Sequence, residues 1–375
     1  MDARLQLPEQ CTSYLLQDWN ARLMQAMPYA QAEQFLENLL DLPQSVQTLE
    51  RDQARLSTHT EAFWEQLPAP AVLPPEAILV DQVDGKGVYM RPNETGGERG
   101  KKKMAILGAV YGIEAHVRTP AQVLEALFAE SRAAPSVSRP TPLDKHVRAC
   151  LKRDEADTTA PQNEEIFAWI AQQNALRDPD QSHRTVVLSD GQTSFWEATA
   201  THLPGEQVTE ILDLLHACGY VWDAAKLLHP SQPQAAQAAA KGNLERLLNG
   251  QVGAVIERLR RAATTLDDTP AETLERIVGY FETHRHRMAY DLYLAEGLPI
   301  ATGVIEGACR CLVKDRMERA GMRWVVAGAQ TMLALRGITI SGLWEDFIAV
   351  HIREDLRQLY GPAAANADSY QRIAA

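Results

Sequence analysis

Residues 303–310, Gly-Val-Ile-Glu-Gly-Ala-Cys-Arg, run on to Lys314-Asp315-Arg316-Met317-Glu318-Arg319-Ala320-Gly321-Met322-Arg323-Trp324, so one acid precedes a series of cations. The pattern predicts a helix with Thr302 as its N-cap. Glu306 then lies near the positive end of the helix dipole, which favours its ionised, metal-binding form. Arg310 and Lys314 follow at i+4 and i+8, on the side that carries Glu306. A metal-ligating carboxylate ahead of a cationic stripe suits a phosphodiester backbone. An ordinary salt-bridged surface helix uses the same residues, and this segment alone does not separate the two.

Three upstream stretches carry further chemistry-bearing residues. Residues 184–191 read as a short buried strand ending in Asp190-Gly191, before a helix beginning near Ser194. Open α/β sheets place their chemistry at the carboxyl ends of central strands, although an Asp-Gly pair also reads as a turn. Residues 77–90 form an earlier strand with two acids, Asp81 and Asp84. Three residues apart, they face opposite sides, so only one can point at a shared site. The same residues permit a hairpin turning at Asp84-Gly85. Residues 210–216 begin a helix, with Val208, Ile211, Leu212, Leu215 and Cys218 at helical spacing and Asp213, His216 and Tyr220 on one face. A partly exposed histidine on a helix is also a common structural feature.

Together these blocks resemble the ISKra-type bacterial insertion-sequence transposases, relatives of the Mutator-like group, over residues 78–345. The resemblance implies a DDE enzyme with a ribonuclease-H-like core, in which three carboxylates hold two magnesium ions, with manganese as a substitute. The family's first acid is followed directly by glycine within its strand, which selects Asp84 over Asp81. Arg177-Asp178-Pro179-Asp180 together with Asp190-Gly191 matches the second-acid block, and Glu306 matches the third. Asp84, Asp190 and Glu306 are therefore the implied catalytic and metal-binding set. Magnesium prefers hard oxygen ligands, and two such ions serve an in-line displacement at phosphorus.

Mutator-like enzymes also carry an Asp-x-x-His element between the second and third acids. Asp213 and His216 match it, with Val221-Trp222-Asp223-Ala224-Ala225 resembling the block that follows. On this reading Asp213 and His216 orient a flipped base or flanking strand. Arg310, Lys314, Arg316 and Arg323 contact phosphates, and Lys101, Lys102 and Lys103 add a basic stretch. Trp324 either stacks on a base or packs its helix onto the core. Cys311 stands where many relatives have histidine, Gly219-Tyr220 departs from the usual sequence, and the N-terminus is shorter than in longer members.

The implied activity is cleavage and strand transfer of insertion-sequence DNA ends by a homo-oligomer that binds double-stranded element ends and target DNA. A DNA-binding relic that no longer cuts, or a ribonuclease-H-like structure-specific nuclease, are the alternatives. The expected location is the cytoplasm, at the nucleoid.

A length of 375 residues with 45% hydrophobic content allows a substantial core. With 49 acids against 37 lysines and arginines, the net charge of -12 excludes a uniformly basic surface, so DNA-binding cations must be local. Besides 101–103 with Arg99, the candidates are Arg258, Arg260 and Arg261, and His284-Arg285-His286-Arg287; each also reads as a solvated face. On a helix the two histidines of that last run diverge, which rejects them as a ligand pair. The 5 cysteines, at 11, 150, 218, 309 and 311, form neither a zinc pattern nor a disulfide framework. No signal segment, membrane-length apolar run or Walker phosphate loop is expected.

The fold expected to position these residues is α/β: a ribonuclease-H-like mixed sheet with an all-helical insertion, preceded by a helical N-terminal region. Residues 1–67 are read as helical, and within them 32–40, a break at Asp41-Leu42-Pro43 and 44–56 form either a DNA-reading helix-turn-helix or a plain helical hairpin. In the first case Ser45, Gln47, Thr48 and Arg51 reach DNA. Residues 68–76 are a proline-rich linker. The first part of the core takes 77–204, with strands at 78–90 and 103–113, a third near 116–118, a helix from Ala121, and an exposed connection at 139–162 with a helical piece at 147–151. The insertion takes 205–298, the C-terminal core helices 299–361, and a disordered tail 362–375.

Overall fold

The computed structural model describes residues 7–9, 12–95, 100–129, 139–152 and 163–362. Serine caps open the N-terminal helices. Ser13 accepts from the Leu16 N–H at the start of α1 (Tyr14–Ala26), and Ser45 accepts from Thr48. Between them α2 (Tyr29–Leu40) ends at Asp41, whose φ of 51° is the left-handed stop of a helix. Then follow α3 (Val46–Ser57) and α4 (Thr60–Gln66). The break at 41–45 falls between α2 and α3, and α3 buries Leu49, Asp52, Gln53 and Leu56. Residues 68–74 have no regular structure, yet Leu73 is buried against the sheet that follows.

That sheet begins with β1 (Ile78–Tyr89), which runs straight through Asp84-Gly85 instead of turning there, because both pair with β2 (Lys102–Ile113): Asp84 lies opposite Leu107 and Gly85 opposite Ile106. Between β1 and β2 the described chain forms a single helical turn at Pro92–Thr95. Residues 114–119 form no strand; they lead to α5 (Pro120–Phe128), opened by a capping box of Thr119 and Gln122. The third strand is β3 (Leu143–Leu151), antiparallel to β2, where a helical piece in an exposed connection was expected. Its Val147, Ala149 and Leu151 join one core and Cys150 the other, while Arg148 pairs with Glu61 and Glu165. Covered on both faces, β3 shows no simple apolar-polar alternation, and long-range pairing overrides its local helix preference.

After α6 (Glu164–Arg177), β4 (Thr185–Ser189) pairs parallel with β1; after α7 (Thr193–His202), β5 (Val208–Leu212) pairs parallel with β4. The sheet order is β3-β2-β1-β4-β5. β5 corrects the helix expected over 208–218: Val208, Ile211 and Leu212 fit either period, and five residues are too few to choose between them.

The helical region begins only with α8 (Leu214–Leu228), followed by α9 (Pro233–Leu248), α10 (Val252–Ala263), α11 (Asp268–His284) and α12 (Tyr290–Ala295). Val255, Ile256, Leu274, Ile277 and Phe281 are buried in it. Next comes α13 (Gly303–Cys309), continued by a π-helical turn at Arg310–Lys314 and a last turn at Asp315–Met317; α14 (Val326–Ile340) and α15 (Trp344–Tyr360) close the fold. Of the expected tail, 362–375, residues 363–375 lie outside the described residues, as do Cys11 and Arg99.

α6 covers one sheet face at β2, while α13 and α14 cover the other at β1, β2 and β3. The N-terminal helices pack on this C-terminal layer. Tyr14 donates to Asp355 at 2.7 Å, Arg55 pairs with Asp355, and the Trp344 indole donates to Asp18. No helix among the described residues is long and apolar enough to cross a membrane.

Candidate functional site

Acids come from the middle of β1, from the residues just after β4 and β5, and from the first turn of α13. Asp84 projects from the face of β1 that α13 covers: one oxygen accepts from Gly85 N–H at 2.7 Å, the other from the Cys309 thiol at 3.2 Å. Asp81 projects to the opposite face, under α6, where Asn174 donates to it at 2.8 Å. Asp190 follows β4 directly, and its carboxylate accepts from Gln192 N–H at 2.9 Å. The turn requires Gly191, whose φ is 95° and where an added Cβ would come within 2.9 Å of His284 Nε2. The Tyr280 hydroxyl clamps the same turn, donating to the Asp190 carbonyl at 2.8 Å.

Asp213 caps α8 and is fully buried. One oxygen accepts from Thr302 N–H at 2.8 Å; the other accepts from His216 N–H at 3.0 Å and lies 2.6 Å from His216 Nδ1. This hydrogen bond is the main reason the His216 imidazole is pushed up to about 9, against the opposing effect of burial. Gln82, also fully buried, accepts from Ile305 N–H at 2.8 Å and donates to Tyr111. Gln82 on β1 and Asp213 at the cap of α8 thus hold the backbone entry of α13, setting where Glu306 stands in the first turn. Thr302 occupies the N-cap position, but its hydroxyl makes no cap; it is the Thr302 N–H that is held.

The acids sense one another. Burial first, and the Asp190 charge in addition, raise the Asp84 carboxyl, while Cys309 and Gly85 oppose the shift. Burial likewise raises Glu306, with the Asp213 and Asp84 charges adding to it. Asp84 therefore lies within electrostatic reach of both Asp190 and Glu306, which come from separate elements. Hard oxygen donors held together against their own repulsion suit divalent cations, whose charge offsets that repulsion. Among the described residues, the group whose ligand atoms all lie within 4.8 Å of one another is Asp213, His216 and Glu306, of which only Glu306 belongs to the three expected carboxylates.

Several expected nucleic-acid contacts are placed elsewhere. Asp213 is sealed in the interior and cannot reach a base. Arg316 is 1% exposed: its Nε donates to the Met24 carbonyl at 2.7 Å, and its guanidinium lies 5.1 Å from the Tyr29 ring and 5.2 Å from the Trp324 ring. Trp324 is buried too, donating to the Met317 carbonyl at 3.0 Å, so its ring packs the C-terminal block onto α2 and stacks on no base. A cation in a polar-looking stretch is packed between two aromatic rings in the core, with its Nη2 lacking a hydrogen-bond partner.

Arg310 and Lys314 are exposed, but the π-helical turn begins at Arg310, so α-helical arithmetic no longer sets Lys314 on the side of Glu306. Arg336 supports that turn by donating to the Cys311 and Leu312 carbonyls. Lys101 precedes β2, which begins with Lys102 and Lys103; the Lys102 ammonium lies 4.4 Å from the Tyr89 ring, and the exposed Arg323 guanidinium 5.9 Å from the same ring. Arg260 pairs with Glu282 and Arg261 with Glu257, while Arg287 pairs with Glu210 and lies over Trp196. Sequence reasoning missed Gln82, Tyr280 and Cys309; only Gln82, an amide inside an apolar run, left a visible signal.

No known protein family matches the chain, and no curated protein matches it.

Proposed function

We propose that the chain is a DDE transposase with a ribonuclease-H-like core, cutting and joining the DNA ends of a mobile element as a homo-oligomer. The observation that supports this reading is that Asp84 of β1 lies within electrostatic reach of Asp190, just after β4, and of Glu306 on α13, on a sheet whose first three strands are antiparallel and whose last two run parallel to β1. That strand arrangement agrees with the one the family resemblance implies.

Two magnesium ions, or manganese, would supply charge for the attacking and leaving oxygens of an in-line displacement. Asp84, within β1, and Asp190, just after β4, fix the position of the reacting phosphate, and Glu306 closes the cluster from the solvent side. Arg310, Lys314 and Arg323, all exposed, supply phosphate contacts, and Lys101 to Lys103 extend them at the start of β2. With a net charge of -12, such contacts remain local.

The test incubates the purified protein with labelled duplexes carrying the DNA that flanks its gene, in magnesium or manganese, beside Asp190→Asn. Cleavage at a defined end that vanishes in the variant is expected. Binding without cleavage in both metals would point to a DNA-binding relic, and cutting governed by DNA structure alone would point to a nuclease.

A further inference from the structure

The Asp213 and His216 pair lies beside Glu306 but outside the three carboxylates assigned above. Both Asp213 oxygens already accept backbone N–H groups, and Asp213 is wholly buried, so it is fixed in place. Its 2.6 Å contact with His216 Nδ1 fixes the imidazole in turn and leaves Nε2 with no hydrogen bond to any described residue. A carboxylate behind one ring nitrogen is the arrangement that orients a histidine toward metal through the other. The His216 side chain is 39% exposed and Glu306 lies at the surface, so a cation can enter from solvent, while the orienting acid stays dry. One ring nitrogen of His216 and one oxygen of Glu306 lie within 4.8 Å of each other and of an Asp213 oxygen, so the imidazole and Glu306 are near enough to share an ion.

We propose that His216 is a metal ligand of the acid cluster: with Glu306 it binds a divalent transition cation in preference to magnesium, and Asp213 serves as the positioning residue behind its ring. This rests on reading the cluster as a cation site. Magnesium favours an all-oxygen shell and gives up water reluctantly, whereas transition cations accept imidazole. A cation bound through Nε2 replaces any proton there, which passes to solvent. One position of the cluster is then chemically different from the other, selecting its ion by nitrogen content as well as by charge.

The probe is manganese bound to the full-length protein without DNA, followed by pulsed paramagnetic resonance and by calorimetric competition against magnesium, with His216→Gln beside the wild type. His216 is half exposed, so the variant is expected to fold, and circular dichroism verifies it. The expected result is a nitrogen coupling to bound manganese that disappears in H216Q. Manganese affinity should fall on the order of tenfold with it, while magnesium affinity changes by less than about twofold. Manganese bound without nitrogen coupling, at an affinity H216Q leaves unchanged, overturns the role of His216 and leaves the carboxylate enzyme standing. If wild-type protein binds neither ion at millimolar concentration, both proposals fall.

Discussion

Asp81 and Asp84 stand on one strand, three residues apart, and live in opposite worlds. Asp81 is fully buried under α6, with Asn174 donating to one oxygen and no partner for the other. Burial pushes its carboxyl up to about 7, with Asn174 and the Arg177 charge opposing. Arg177, itself 1% exposed, is occupied by Gln173 and the Asp144 carbonyl. Asp84 instead faces a cluster of other acids with only a thiol and its own neighbour's N–H as donors. An acid closed in by its own scaffold is structural. One left facing like charges would, on the proposed reading, be poised for a ligand whose positive charge relieves that repulsion.

The sharpest way to break this contrast is to neutralise each acid. Asp84→Asn or Asp190→Asn should lower DNA cleavage by about a thousandfold or more, roughly 4 kcal/mol of barrier, while melting temperature holds or rises. Asp81→Asn should cut DNA at near wild-type rate; a dead D81N beside an active D84N would falsify the division of roles.

The next effect is in stability. The folded Asp81 carboxyl titrates near 7 and the unfolded one near 3.8, so its favourable contribution is complete below about pH 4 and is lost as pH rises to 7. Denaturant melts of wild type against D81N across pH 3 to 8 should show that decline, about 2–4 kcal/mol, flattened in the variant. Gly191→Ala forces a side chain into a positive-φ turn against His284, and equilibrium unfolding should register a loss of about 1–3 kcal/mol. The smallest effect belongs to Gln82→Met, which leaves the Ile305 N–H without its acceptor. We expect about 1–2 kcal/mol in the same melts and roughly tenfold slower cleavage, as α13 loses its register.

Much of this contrast was legible from residue types. The strand period alone sets Asp81 and Asp84 on opposite faces, and the buried run into Asp190 and the break between α2 and α3 were visible locally. β3 and β5 were not, because their partners are distant in the chain: 143–151 is a strand by virtue of β2, and 208–212 by virtue of β4. The same limit explains the misplaced contacts. Nothing in the run from Lys314 to Trp324 reveals that Tyr29, almost three hundred residues earlier, closes over Arg316. Asp213 was read on a helix face because the strand ending just before it was read as helix. Within the proposed site, the family resemblance nominated the acids, while Gln82 and Tyr280, which hold the backbone around them, depend on contacts made only after folding.

The two side chains that receive α13 also impose an order in time on a growing chain. Gln82 and Asp213 leave the ribosome well before the Ile305 and Thr302 amides they bind, and roughly ninety residues separate Asp213 from Glu306. At translation rates of about 5–20 residues per second, the sheet waits several seconds with its receptors formed and its closing helix not yet made. A nascent chain stalled before residue 300 would carry Asp84 and Asp190 but have no Glu306, so synthesis itself withholds the completed site until the C-terminal layer arrives.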